Sequence, residues 1–343
     1  MFHLTGIFSI NGIRFKNCKA VFCFCVKITI SVTVILVHVY LTILALQNHK
    51  LYGNPVANTA ANIIKLIYRC FIHLKWKRLV KICSLMSSFR IKEDRKYRIW
   101  ICIYVIINIA MGVPLAYLDV KILSATGIPY RHYGISRENN TLYVMAAVLH
   151  STFFYFFSWI MMIAFDLFYL IVCDHMKRMI KNFSAGLGLK NRDYNTLLHS
   201  YAEIKSTIVY IDSELSLFMF LKTILTSVMM YYTVSALVHA DLVKNPMHTV
   251  QKQVLFVYSL ASFVVVVTAA SAVSEASLEV RQLTQAQKLD KPNVFEQQKF
   301  QACAESEICL TVWKIVPLSR SFALGTISAI FTYAILVDSL IKK

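Results

Sequence analysis

Residues 254–274 read VLFVYSLASFVVVVTAASAVS, an apolar run without one charged side chain. At 1.5 Å per residue, a helix of that length reaches about 30 Å, the thickness of a bilayer's hydrocarbon core. The apolar residues are continuous and do not alternate, so the two-residue period of a membrane β-barrel strand is missing. A helix also satisfies its own backbone polar groups, as a lipid-exposed segment must. This stretch therefore sets the expectation for the chain: an all-α membrane protein.

Similar runs flank it. Helices are predicted at about 21–46, 53–74, 99–118, 142–172, 217–239 and 319–341, making seven spans with 254–274. The second is interrupted by Asn58, Asn62, Lys65 and Arg69. Such a half-polar span belongs inside a bundle or near an interface, where long basic side chains can snorkel. Composition agrees: 57% of residues are apolar and 16% charged, with a mean hydropathy of +0.56. A soluble domain carries about a quarter charged residues. The first apolar run starts near Val21, is longer than a signal-peptide core and lacks a small-residue cleavage site, so it reads as a retained span. None of the nine cysteines has metal-ligand spacing, and none falls in an expected external loop.

The net charge of +18 does not indicate nucleic-acid binding, because the basic residues lie in the loops between apolar runs. With the N-terminus inside, cytoplasmic segments hold 22 Lys and Arg and external ones 8. The positive-inside rule then places the N-terminus in the cytoplasm and the C-terminus outside. The sequon Asn139-Asn140-Thr141 falls in an external loop under this topology, making Asn139 the expected glycosylation site. G-protein-coupled receptors have the opposite orientation. No metal cluster, phosphate loop or nucleophile–base pair is legible, so neither an enzyme nor a cofactor is expected.

The last span, Gly325–Leu340, reads GTISAIFTYAILVDSL. Ser321, Gly325, Ser328, Thr332, Ile335 and Ser339 recur at helical spacing and form one small, mostly polar stripe. Such a stripe can line a wet pore, with Ile335 or Leu336 as an apolar gate. Equally, small residues let helices pack closely while their hydroxyls bond neighbouring backbones. Asp338 lies about 100° around the helix from the stripe, within a turn of the external end. It reads either as one member of an acidic ring at a pore mouth or as a carboxylate solvated at the interface or paired with Lys342.

This span resembles the C-terminal signature of the insect gustatory receptor family: Thr-Tyr, five hydrophobic residues, then Gln-Phe. Thr332 and Tyr333 match, as do Ala334 to Val337, while Asp338, Ser339 and Leu340 depart from it. The approach through Pro317-Leu318-Ser319-Arg320, the basic loop from Lys177 to Asp212 and the inverted topology are also similar to that family. The resemblance implies a multi-pass plasma-membrane receptor for a small-molecule tastant, either a homotetramer or a heteromer with related receptors. It further implies a ligand-gated, non-selective cation channel whose seventh helices line the pore. An outward-opening pocket in spans two to six and a cytoplasmic anchor, here about 175–216 and 275–318, belong to the same expectation.

Aromatic residues suggest where that pocket lies. Span four carries Phe153 to Phe157 and Trp159, with His150 one turn outward. Its outer half, through His150, Phe154 and Phe157, is expected to meet Tyr117, Tyr231, Tyr232 and Tyr258 from spans three, five and six. Aromatic walls with a few polar tips suit a small organic ligand, whereas packing and interfacial roles are the bland alternative. Deeper in span four, Asp166 needs a partner, because an unpaired carboxylate in lipid costs several kcal/mol. The 195–217 stretch spaces Leu197, Leu198, Tyr201, Ile204, Ile208 and Ile211 as an amphipathic helix leading into span five. Alternatives to the channel reading are a secondary transporter of a small solute and a non-conducting chemoreceptor subunit. A transporter would show matched Gly/Pro breaks in an inverted repeat, and Gly112 with Pro114 gives only one such break.

Overall fold

The computed structural model describes residues 55–88, a set of positions between 99 and 118, and 140–187, 194–238, 246–286 and 294–341. The span expected at 21–46 and Asn139 lie outside the described residues. Helices α1 (Pro55–Ser88), α2 (Asn140–Gly186), α3 (Tyr194–Val238) and α4 (Pro246–Gln285) are long rods. A short helix α5 (Val294–Glu305), a hairpin of β1 (Thr311–Val312) and β2 (Val316–Pro317), and α6 (Arg320–Ile341) complete the chain. The described positions between 99 and 118 are helical. Helix α4 packs against α2 and α3, α1 packs on α3, and α6 rests on α3 and α4.

The rods outrun the apolar stretches. Helix α1 passes 74 to reach Ser88, α2 passes 172 to reach Gly186, and α3 begins 23 residues before 217. Hydropathy marks where a helix leaves an apolar environment, not where its backbone bonds end. Beyond that point the polar residues pair across helices. Glu214 of α3 accepts from Lys75 at 3.2 Å and Arg78 at 2.8 Å on α1. Arg178 and Asp174 pair one turn apart at 2.7 Å. The amphipathic stretch from Asn195 runs unbroken into the apolar half of α3. Segments 194–235 and 249–285 are each long and apolar enough to cross a membrane.

Two aromatic clusters mark the core. Tyr68, Phe165 and Phe218 join α1, α2 and α3, with ring centroids 5.5 Å apart between Phe165 and each of the others. Phe183, Tyr201 and Phe300 join α2, α3 and α5, at 5.2 to 6.2 Å. Edge-on and tilted pairs of this kind add stabilisation beyond the area they bury.

The β-hairpin has no counterpart in the sequence reading. It is fastened to the middle of α3, where Asp212 accepts from the Thr311 backbone N–H at 2.8 Å and the Thr311 hydroxyl at 2.7 Å. The Trp313 N–H donates to the Ser216 carbonyl at 3.0 Å, and the Trp313 ring lies 4.5 Å from that of Phe220. The chain reverses through Trp313 (φ 49°) and Lys314 (φ 56°), both left-handed without being glycine. That conformation costs an L-residue about 1–2 kcal/mol. Lys314→Gly is therefore expected to raise stability by about 0.5–1 kcal/mol, and Lys314→Val to lower it by about 1–2 kcal/mol, in thermal unfolding of the detergent-solubilised protein. A reversed order would show that the turn is not strained.

Candidate functional site

At the level of Asp166, helices α2, α3, α4 and the 99–118 segment converge on one carboxylate. Asp166 is fully buried. Its Oδ2 pairs with Lys222 Nζ of α3 at 2.8 Å and accepts from the Ser262 hydroxyl of α4 at 2.8 Å and the Tyr104 hydroxyl at 3.3 Å. The Lys222 side chain is 4% exposed and that of Asp166 1%. A buried charge pair of this kind offsets its desolvation only with good geometry and further hydrogen bonds, both of which Oδ2 has. The other oxygen, Oδ1, has no hydrogen-bond partner among the described residues.

Lys222, though not Asp166 itself, lines a narrow cleft of about 370 Å³, a volume that includes space open to the surroundings. Met162 of α2, Met229 of α3 and Leu255 of α4 supply apolar walls, while Lys65, Lys222, Thr226, Tyr258, Ser259 and Ser262 supply polar groups. The polar lining has a local cause. The Thr226 hydroxyl is turned back onto the Lys222 carbonyl at 2.8 Å, and Ser262 is committed to Asp166. Helices can present these residues inward because their hydrogen-bonding needs are met nearby.

The sequence-predicted residues fall in different places. Tyr258 lines the cleft. Tyr232 is buried nearby on α3, where its hydroxyl accepts from Lys252 at 2.5 Å. Tyr231, the next residue, is half-buried, and Tyr117 is 56% exposed. The side chains of His150, Phe154 and Phe157 lie outside the described residues, although α2 passes through all three positions.

Helix α6 has two faces. Ala323 and Ala334 are buried, Phe322 meets Phe263 at 6.2 Å, and Phe331 meets Phe256 at 5.9 Å, all towards α4 and the core. Ser321, Gly325, Ser328, Thr332 and Ile335 are exposed on the other side, as are Tyr333 and Leu336. The small polar stripe therefore lies on the surface that α3 and α4 leave uncovered. The Thr332 hydroxyl bonds the Ser328 carbonyl at 2.9 Å, which satisfies it within its own helix. Asp338 and Ser339 fall in the last turns of α6, with side chains outside the described residues.

No family model matches the chain, and no curated protein matches it by sequence. Solved structures do. The insect olfactory receptor OR5 from Machilis hrabei superposes with a TM-score of 0.65 at 12% identity, over 96% of this chain and 93% of that one. The same receptor in complex with eugenol superposes with a TM-score of 0.65 at 11% identity, over 97% and 93%. The chain shares the fold of that olfactory receptor. At this identity the likeness is one of architecture, spread over nearly the full length of both chains.

Within the olfactory-receptor fold, the residue that sequence reasoning missed is Lys222. The signal was present: one acidic residue in the fourth apolar run and one basic residue in the fifth, each too costly to leave alone in lipid. A single sequence gives no distance between positions 56 apart, so the pairing itself could not be read. Among the described residues, no group of His, Cys, Asp and Glu could hold a metal ion.

Proposed function

We propose that this chain is a multi-pass plasma-membrane chemosensory receptor that acts as a ligand-gated, non-selective cation channel of the gustatory type. The observation that carries the reading is the uncovered small-polar stripe of α6, in a chain that shares the architecture of an insect olfactory receptor. A helix whose hydroxyl-bearing face finds no cover among the described residues suits a water-filled axis shared by several copies. In a homotetramer, four α6 helices would bring Ser328, Thr332 and Ile335 to that axis, with Asp338 and Ser339 near its outer end.

The ligand site proposed is the cleft lined by Lys222, reached from the external side, with Tyr258 in its wall. That the olfactory receptor has been solved in complex with eugenol supports a small organic tastant as the ligand class. Binding there would bias α3 against α4, and α6 rests on both.

Whole-cell recording from cells expressing this chain alone, challenged with a broad tastant panel, tests the proposal. Ligand-evoked cation current is expected, and Asp338→Asn is expected to lower the permeability of divalent relative to monovalent cations by weakening an acidic ring. Absence of current, with surface delivery verified by glycan addition at Asn139, would remove the homomeric channel and leave a heteromeric or non-conducting subunit.

A further inference from the structure

The cleft carries chemistry that bears on which molecules enter it. Lys222 is 3% exposed as a residue, yet it lines the cleft. Its ammonium has three N–H donors, and Asp166 Oδ2 is the acceptor it meets among the described residues. Among the described residues two donors of a nearly fully buried cation are therefore left over, and an unmet buried donor is costly. Ser259 and Ser262, with Met162, Met229 and Leu255, line the same cleft.

Asp166 Oδ2 is shared among Lys222, Ser262 and Tyr104. A cation held by an ion pair and lining a cleft is a positioned donor for an incoming acceptor. An oxygen acceptor on a ligand would complete its coordination without breaking the ion pair. The apolar remainder of such a ligand would lie against the methionines and Leu255, whose flexible side chains adapt to shape.

We infer that the cleft selects compact amphipathic molecules bearing a carbonyl-type oxygen acceptor, and that Lys222 is the specificity-determining residue that binds it. The inference rests on the cleft being the ligand site and deepens that reading by naming the ligand class. Discrimination follows from the unmet donors. A hydrocarbon of the same shape fills the space and leaves them unmet, whereas a carbonyl satisfies one.

Acetophenone and α-methylstyrene differ only by an exchange of C=O for C=CH2 and are the probes for this test. Binding to the full-length protein in phosphatidylcholine nanodiscs is measured by isothermal titration, with no current needed. Acetophenone is expected to bind at least about tenfold more tightly, the effect of one hydrogen bond to a charged donor. In the charge-neutral pair Asp166→Asn/Lys222→Met, where Ser262 and Tyr104 can still bond the amide oxygen, the difference is expected to fall below about twofold. Met229→Trp, which fills the cleft, is expected to remove binding of both probes.

Equal binding of the two probes to the unsubstituted protein would overturn the inference whether or not any variant folds. So would failure of acetophenone to bind, or a difference that persists once Lys222 is gone. Discrimination that survives in a protein giving no ligand-evoked current would sink the channel reading alone.

Discussion

Lys222→Met alone is expected to destabilise the protein by about 3–5 kcal/mol, whereas Asp166→Asn/Lys222→Met is expected to stay within about 1–2 kcal/mol of the unsubstituted chain. The single change leaves a fully buried carboxylate with two hydroxyl donors and no counter-charge. The double change removes both charges and keeps an oxygen where Ser262 and Tyr104 donate. The asymmetry arises because a buried pair gains little over a neutral replacement, yet an orphaned member bears the full desolvation penalty. Reversible unfolding in mixed micelles measures both variants, and a double-mutant cycle isolates the coupling. A single variant no worse than the double would mean that the two residues do not pair in the folded protein.

Phe300→Ala is expected to cost about 3–5 kcal/mol, and Phe295→Ala, five residues away on the same helix, about 0.5–1 kcal/mol. Phe300 is fully buried between Phe183 and Tyr201, so truncation opens a cavity between α2, α3 and α5. Phe295 is 68% exposed, and its ring faces the Lys299 ammonium at 4.3 Å, which gives a weak cation–π contact. Both residues lie outside the long apolar stretches, where water drives burial as it does in a soluble core. The ratio of the two losses therefore reports whether this end of the bundle is a packed body of its own. Comparable losses would show that α5 is not seated against α3.

The helical architecture was legible because continuous apolar runs leave a helix few alternatives in lipid. The ends of the helices were not. Lys75 and Arg78 read as loop charges, and only the position of Glu214 on another rod makes them part of a helix–helix contact. Tyr258, Tyr117 and Tyr231 were chosen for their expected depth alone. Which way each points depends on the rotation of its helix, and only Tyr258 of the three lines the cleft. The hairpin left no trace because Trp313 and Lys314 stand where a reader would look for glycine or asparagine. The carboxylate of Asp166 did announce its need for a partner, since its cost in lipid is independent of what lies nearby.

The length of the rods has a mechanical consequence. Helix α3 has 45 residues and measures about 68 Å, more than twice the bilayer's hydrocarbon thickness. The hairpin is fastened at Asp212 and Ser216, close to its midpoint, so the root of α6 sits near the natural fulcrum. Lys222 to Met229 lie roughly 10–20 Å along the axis on one side of that point, while Tyr194 ends the other arm about 33 Å away. A swing of about 5° would shift the cleft by roughly 1–2 Å and the far end by about 3 Å, given 1.5 Å per residue. The molecule has the proportions of a lever: were α3 to pivot rigidly there, a displacement beside Lys222 would emerge enlarged where α3 meets α5, while the point that anchors α6 would hardly travel.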